Sequence, residues 1–243
     1  MLRAFLSTAV AVCLLPACGE SEVPDELGDE SAADGEVGKG DTADAFTYFA
    51  VNPDLRACSF DARCGGFFVS RPNRASTICG RGSTASRCYV DSLDFSGTAL
   101  PKSIAADYEE RIRAGETILL KGDIAPAPDD RGSSLHVTEV WTSGSQTGTL
   151  DGVFLLVKDN GVRCITTPCP SLTEIRLNSN RSAVISEVDF SLSGADDETI
   201  ARAADGFFDD GVIVVGYRYY AEKRSKGREA NQFFTRAPVP LHF

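Results

Sequence analysis

Histidine is almost missing from this 243-residue chain, which holds only His136 and His242. Little material is left for the nucleophile–base and acid–base constellations that lean on imidazole. No Gly-x-Ser-x-Gly elbow occurs; the nearest run, Gly144-Ser145-Gln146-Thr147-Gly148, has glutamine at its centre. Val37-Gly38-Lys39-Gly40 lacks the strand and the upstream glycine of a phosphate loop. No apolar run approaches the roughly 20 residues of a membrane-spanning helix. The expectation is therefore no catalytic residue, no metal and no cofactor. The two histidines belong to matching Leu-His dipeptides, Leu135-His136 and Leu241-His242. A recurrent histidine reads as structural, with a catalytic dyad as the rival reading.

Excess charge is missing too, once the chain is divided. The formal net charge is −11, but residues 19–45 hold ten acids against one base, Lys39. Without that segment and Arg3, 22 bases face 25 acids, a net of −3. Bulk charge does not dictate the partners of a near-neutral domain, and nucleic acid is not expected. Residues 19–45 also lack aromatics, so they cannot bury enough apolar surface to offset their ordering entropy. They read as an acidic tether.

Ahead of the tether, Arg3 and the apolar stretch Ala4–Leu15 form a signal-like start ending in Leu15-Pro16-Ala17-Cys18-Gly19. This run resembles the bacterial lipobox, and the resemblance implies cleavage within residues 1–18 and acylation of Cys18. Two or three acyl chains would hold the protein firmly to a bilayer. The rival is a plain secretory signal. Either way the chain is expected to be exported; with the anchor it is expected on the cell envelope, at the outer membrane, facing the periplasm or the cell surface.

Six cysteines remain beyond Cys18: Cys58, Cys64, Cys79, Cys88, Cys164 and Cys169. An even number in an exported protein reads as disulfides. Their pairing follows from an apparent internal repeat. Tyr89–Gly97 ends in Asp94-Phe95-Ser96, and Val184–Gly194 contains Asp189-Phe190-Ser191. Cysteine pairs precede both, and an Asn-Arg, at 73–74 and 180–181, follows each pair. The first copy is about ten residues longer between these landmarks, nearly the segment holding Cys79 and Cys88. Three local rings are expected, 58–64, 79–88 and 164–169, each contributing about 2 kcal/mol by loop-closure entropy.

Alternating and β-branched runs predict strands near 46–51, 66–70, 89–95, 117–121 and 135–141. A second set falls near 153–157, 172–177, 183–190 and 212–220 and around Phe233 and Leu241. The 3.6-residue period changes over 103–114, with Ile104, Tyr108 and Ile112 on one face, and over 198–208. The expected class is mainly β with one helix per repeat (α+β). Two tandem OB-like small barrels are expected from an internal duplication, at 46–143 and 148–243. A β-sandwich with a crossover helix would give the same string.

The Tyr48-Phe49-Ala50-Val51 run, the segment from Cys58 to Gly66, Ser70–Arg74 and Asp94-Phe95-Ser96-Gly97 carry a further resemblance. The chain is similar to an uncharacterised family of exported myxobacterial-type lipoproteins. That likeness implies place and class but no activity. The expected function is a non-enzymatic envelope module that binds or scaffolds something. An exported hydrolase and a disulfide-stapled protease inhibitor are the alternatives. The expected binding surface is the loop after the second helix-to-strand passage: Tyr217, Tyr219, Lys223, Arg224, Lys226 and Arg228. Bases beside aromatics suit an acidic envelope polysaccharide or another envelope component.

Overall fold

The computed structural model describes residues 47–57, 64–126, 132–220 and 225–238. The chain begins with β1 (Thr47–Pro53), β2 (Phe67–Ser70), a small ribbon of β3 (Thr77–Ile78) and β4 (Thr84–Ala85), β5 (Cys88–Val90) and β6 (Ser92–Asp94). Helix α1 (Lys102–Arg113), β7 (Ile118–Pro126) and β8 (Ser133–Ser143) complete the first half. The second half runs β9 (Val153–Asp159), β10 (Leu172–Arg176), β11 (Ser182–Ile185), β12 (Glu187–Asp189), α2 (Asp197–Gly206), β13 (Val212–Tyr220) and β14 (Lys226–Arg236).

The expected pair of OB-like barrels does not form. The strands join into one 12-stranded sheet in the order β11-β10-β9-β13-β14-β8-β7-β1-β2-β5, largely antiparallel and closed into no barrel. β12 and β6 pair off this path, in parallel with β14 and β8. The two helices are accessories on a sheet fold, not the signature of two barrels. The physical reason lies at β8 and β14. Trp141, Thr142 and Ser143 pair with Arg236, Thr235 and Phe234, so each half uses a strand rim to extend its neighbour instead of curling back on itself.

Within this sheet the ladders of the halves correspond. β1 pairs with β7 as β9 pairs with β13, and β7 with β8 as β13 with β14. Both long hairpins slip register at a glycine, Gly122 and Gly216. A Cβ there would lie 2.0 Å from the His136 carbonyl oxygen or 1.8 Å from that of Glu229, so the bulge admits no side chain. The match also places His136 opposite Glu229 in the scheme, not opposite His242, which lies outside the described residues.

Burial explains the layers. Phe49, Val51, Phe67, Val69, Ile118, Leu120 and Leu135 pack with Tyr108 and Ile112 of α1. Leu155, Val157, Val212, Val214 and Phe233 pack with Ala203 of α2 and with Phe207. On the opposite sheet face, Leu119 and Trp141 from the first half meet Phe154, Ile213, Val215 and Phe234 from the second. Alternating side chains thus feed one core per helix and one shared core.

Two asparagines lock the shared layer. Asn73 donates to the carbonyls of Phe154 (2.7 Å) and Leu177 (3.2 Å) and accepts from Phe154 N–H (2.9 Å). Asn178 donates to the carbonyls of Tyr48 (3.0 Å) and Pro72 (3.1 Å) and accepts from Tyr48 N–H (2.8 Å). Both take positive φ, 61° and 58°. Asparagine tolerates that conformation better than most residues. Each half therefore clasps the first strand of the other with a side chain.

Candidate functional site

The predicted basic loop does not assemble as expected. Arg228 is not a surface cation. It is fully buried, and its guanidinium grips the buried Glu174 through Nε (3.0 Å) and Nη2 (2.8 Å). Arg218 closes the same carboxylate at 2.6 Å. Strand alternation is the cause: Arg218 and Arg228 are paired in register and share the core-facing side with Glu174. Tyr217 and Tyr219 sit one residue away, on the opposite side, and their hydroxyls donate to Asp151 (2.6 Å) and Glu187 (2.9 Å). Burial and the Glu187 carboxylate push the Tyr219 phenol up to about 12. Lys226 opens β14 and pairs in register with Tyr220. Lys223 and Arg224 lie outside the described residues. So the structure separates the tyrosines from the arginines that sequence reasoning grouped with them.

A different cluster of arginine and aromatic side chains stands on the sheet edge of the first half. Phe68 and Tyr89 are register partners on β2 and β5, on the face away from the α1 core, with ring centroids 5.7 Å apart and edge-on. Arg87 lies over the Phe68 ring at 4.3 Å, Arg56 over the same ring at 5.0 Å and over Tyr89 at 5.6 Å. One residue inward, Arg113 covers Phe67 at 4.4 Å.

Local chemistry fixes each part. Arg56 is held in a fork by Asp54, with Nε and Nη2 each 2.8 Å from a carboxylate oxygen. These bonds hold the Asp54 carboxyl down to about 2. Asp54 N–H closes the hairpin base on the Gly66 carbonyl at 2.9 Å. Arg87 precedes Cys88, which is buried and disulfide-bonded to Cys79, so a covalent staple anchors its backbone. Arg87 is exposed, and among the described residues no carboxylate pairs with it. The arginines were overlooked because Arg56 and Arg87 are 31 positions apart and nothing local joins them. The one signal was the run Phe67-Phe68, two aromatics on a short strand.

A model of a domain of unknown function, DUF6748, matches residues 47–238, a range that holds every residue the structure describes. The chain belongs to the DUF6748 family. Comparison with curated proteins and with solved structures finds no match. Membership of the DUF6748 family assigns no role by itself, and the chemistry must be read from the chain's own residues.

Among the described residues of this DUF6748 domain, Cys79 is bonded to Cys88 and Cys164 to Cys169. Cys64 is disulfide-bonded as well, while Cys58 lies outside the described residues, as does Cys18. His136 offers Nδ1 to Asp123 at 3.3 Å, and its other edge abuts Gly97, where a Cβ would come within 2.9 Å of Nε2. Asp94 bonds the Ser96 N–H (3.0 Å), which holds its carboxyl below the usual range, with His136 a lesser cause. The histidine thus braces the β6–β8 junction. Among the described residues no three His, Cys, Asp or Glu side chains gather to hold a metal, and no helix is long and apolar enough to cross a membrane.

Proposed function

We propose that this DUF6748 chain is an exported lipoprotein, anchored through Cys18 to the cell envelope, of the kind carried by myxobacterial-type bacteria. It acts there as a non-enzymatic binding module. The arginine and aromatic cluster on β1, β2 and β5 is the observation that carries the binding reading. Its arginines are exposed over half-buried rings, it is held by a disulfide and a forked ion pair, and it has no counterpart at matching positions of the other half. Export is supported by the oxidised cysteines, which an extracytoplasmic compartment produces and a reducing one does not. Anchorage is supported by the run ending at Cys18 followed by ten acids before Phe46.

The test is direct. In cells labelled with palmitate, the wild-type chain should take up label and sediment with envelope membranes. Cys18→Ala should lose the label and either stay unprocessed or move to the soluble fraction. Label and sedimentation unchanged in Cys18→Ala would end the anchored reading.

A further inference from the structure

Stacking a guanidinium on an aromatic face fixes its plane and leaves its N–H edges open. Such an arginine is prepared to grip a carboxylate or phosphate with two parallel hydrogen bonds, and loses little freedom in doing so. Arg87 is in this condition, 4.3 Å above Phe68 and exposed. Arg56 shares the ring, but Asp54 occupies its fork and neutralises it. Arg87 therefore supplies the open cation, and Arg56 with Asp54 supplies a neighbouring wall of fixed geometry. Exposed Asn52, the register partner of Phe68 on β1, adds an amide to the same face, and Tyr89 adds an aromatic edge. The face is a run of three adjacent strands on a sheet surface, suited to a chain laid across it.

The other half serves as an internal control. By the matching ladders, Asn52, Phe68, Arg87 and Tyr89 correspond to Lys158, Thr173, Ser182 and Val184. The scaffold itself therefore requires neither aromatics nor arginines at these places.

We infer that this face binds an acidic polysaccharide through its uronate carboxylates, with Arg87 as the bidentate contact. The inference rests on the binding-module reading above and names its ligand. Charge complementarity selects a carboxylate polymer: one open guanidinium, an amide and an aromatic edge meet the carboxylate, the hydroxyls and the ring of a sugar acid.

The experiment uses the full chain and immobilised polygalacturonate, with dextran as the neutral control and phosphatidylglycerol vesicles as the phosphate arm. Retention on polygalacturonate but not on dextran is expected. It should fall about tenfold for Arg87→Glu, as loss of a charge-assisted fork implies. Arg87→Lys should recover only part, because an ammonium keeps the charge but not the fork. Phe68→Leu should weaken retention with Arg87 intact. Each variant is compared only if its urea midpoint matches wild type; should Phe68→Leu fail that check, Phe68→Tyr, which keeps the ring, should bind as wild type. Equal retention of wild type and Arg87→Glu, or binding to vesicles alone, overturns the inference. Polygalacturonate binding can fail while Cys18→Ala still releases the protein; the ligand is then wrong and the anchored reading stands.

Discussion

The same three positions are solved in opposite ways in the two halves. In the second, Glu174, Arg218 and Arg228 form a buried ionic triad. In the first, the matching ladder positions hold Val69, Ile124 and Leu135, with Val69 and Leu135 fully buried. Two cores on one pairing scheme thus show that the backbone tolerates either chemistry. They differ in what a single change would do. Removing one apolar member leaves a cavity, whereas removing one member of the triad strands a charge without water.

The largest effect should come from Glu174→Ala. It leaves two buried guanidinium groups facing each other and should cost about 3–5 kcal/mol, read as a fall in the urea midpoint. The triple change Glu174→Val, Arg218→Ile, Arg228→Leu copies the first half. It should be neutral or stabilising, by up to about 4 kcal/mol. A triple variant as damaged as Glu174→Ala would mean that the halves are not interchangeable at these sites.

The asparagine clasp should break more gently and evenly. Asn73→Ala and Asn178→Ala each remove three hydrogen bonds to backbone groups, two of them on the other half's first strand, and keep a side chain at positive φ, so each should cost about 1–3 kcal/mol. The glycine variants should lose less, because the left-handed conformation is then free of strain. Widely unequal losses would show that one half leans on the other more than it is leaned upon.

A smaller effect appears on acidification. The Asp54 carboxyl sits at about 2 when folded and near 3.8 unfolded, so its contribution is fully present above pH about 4 and is lost as pH falls toward 2. Asp54→Asn should flatten the stability profile within that window only. The second half has Asn160 at the equivalent hairpin base, donating to the Pro170 carbonyl, and should contribute no matching step from that position. A carbon-13 titration placing the Asp54 midpoint near 4 would contradict the fork to Arg56. The least effect is spectroscopic. Tyr219, raised to about 12, should ionise late in an ultraviolet titration, and Glu187→Gln should bring it down without unfolding the sheet.

Much of the local structure could be read along the chain. The spacing of Ile104, Tyr108 and Ile112 does mark α1, in which Tyr108 and Ile112 are buried, although Ile104 is left exposed. What the chain concealed was non-local. Nothing in the residues of β8 and β14 says that each will pair with the other half before closing a barrel of its own, since strand-rim partners are chosen by fit across nearly a hundred residues. The triad was concealed by composition. Bases close to tyrosines read as an exposed binding loop, because charged residues are seldom buried unless paired. The clue was in β10, Leu-Thr-Glu-Ile-Arg, where Glu174 alternates into the core between Leu172 and Arg176. Only its partners, 44 and 54 positions away, make that place habitable.

The asparagine clasp also has a mechanical meaning. Tyr48 is the second residue of the first strand, and both of its backbone groups are held by Asn178, 130 positions away. Tension applied to the chain ahead of Thr47 therefore meets the second half of the molecule at once, not only the β1–β2 and β1–β7 ladders. A pull on the leading end is shared between two cores, and peeling the first strand away requires the far half to let go.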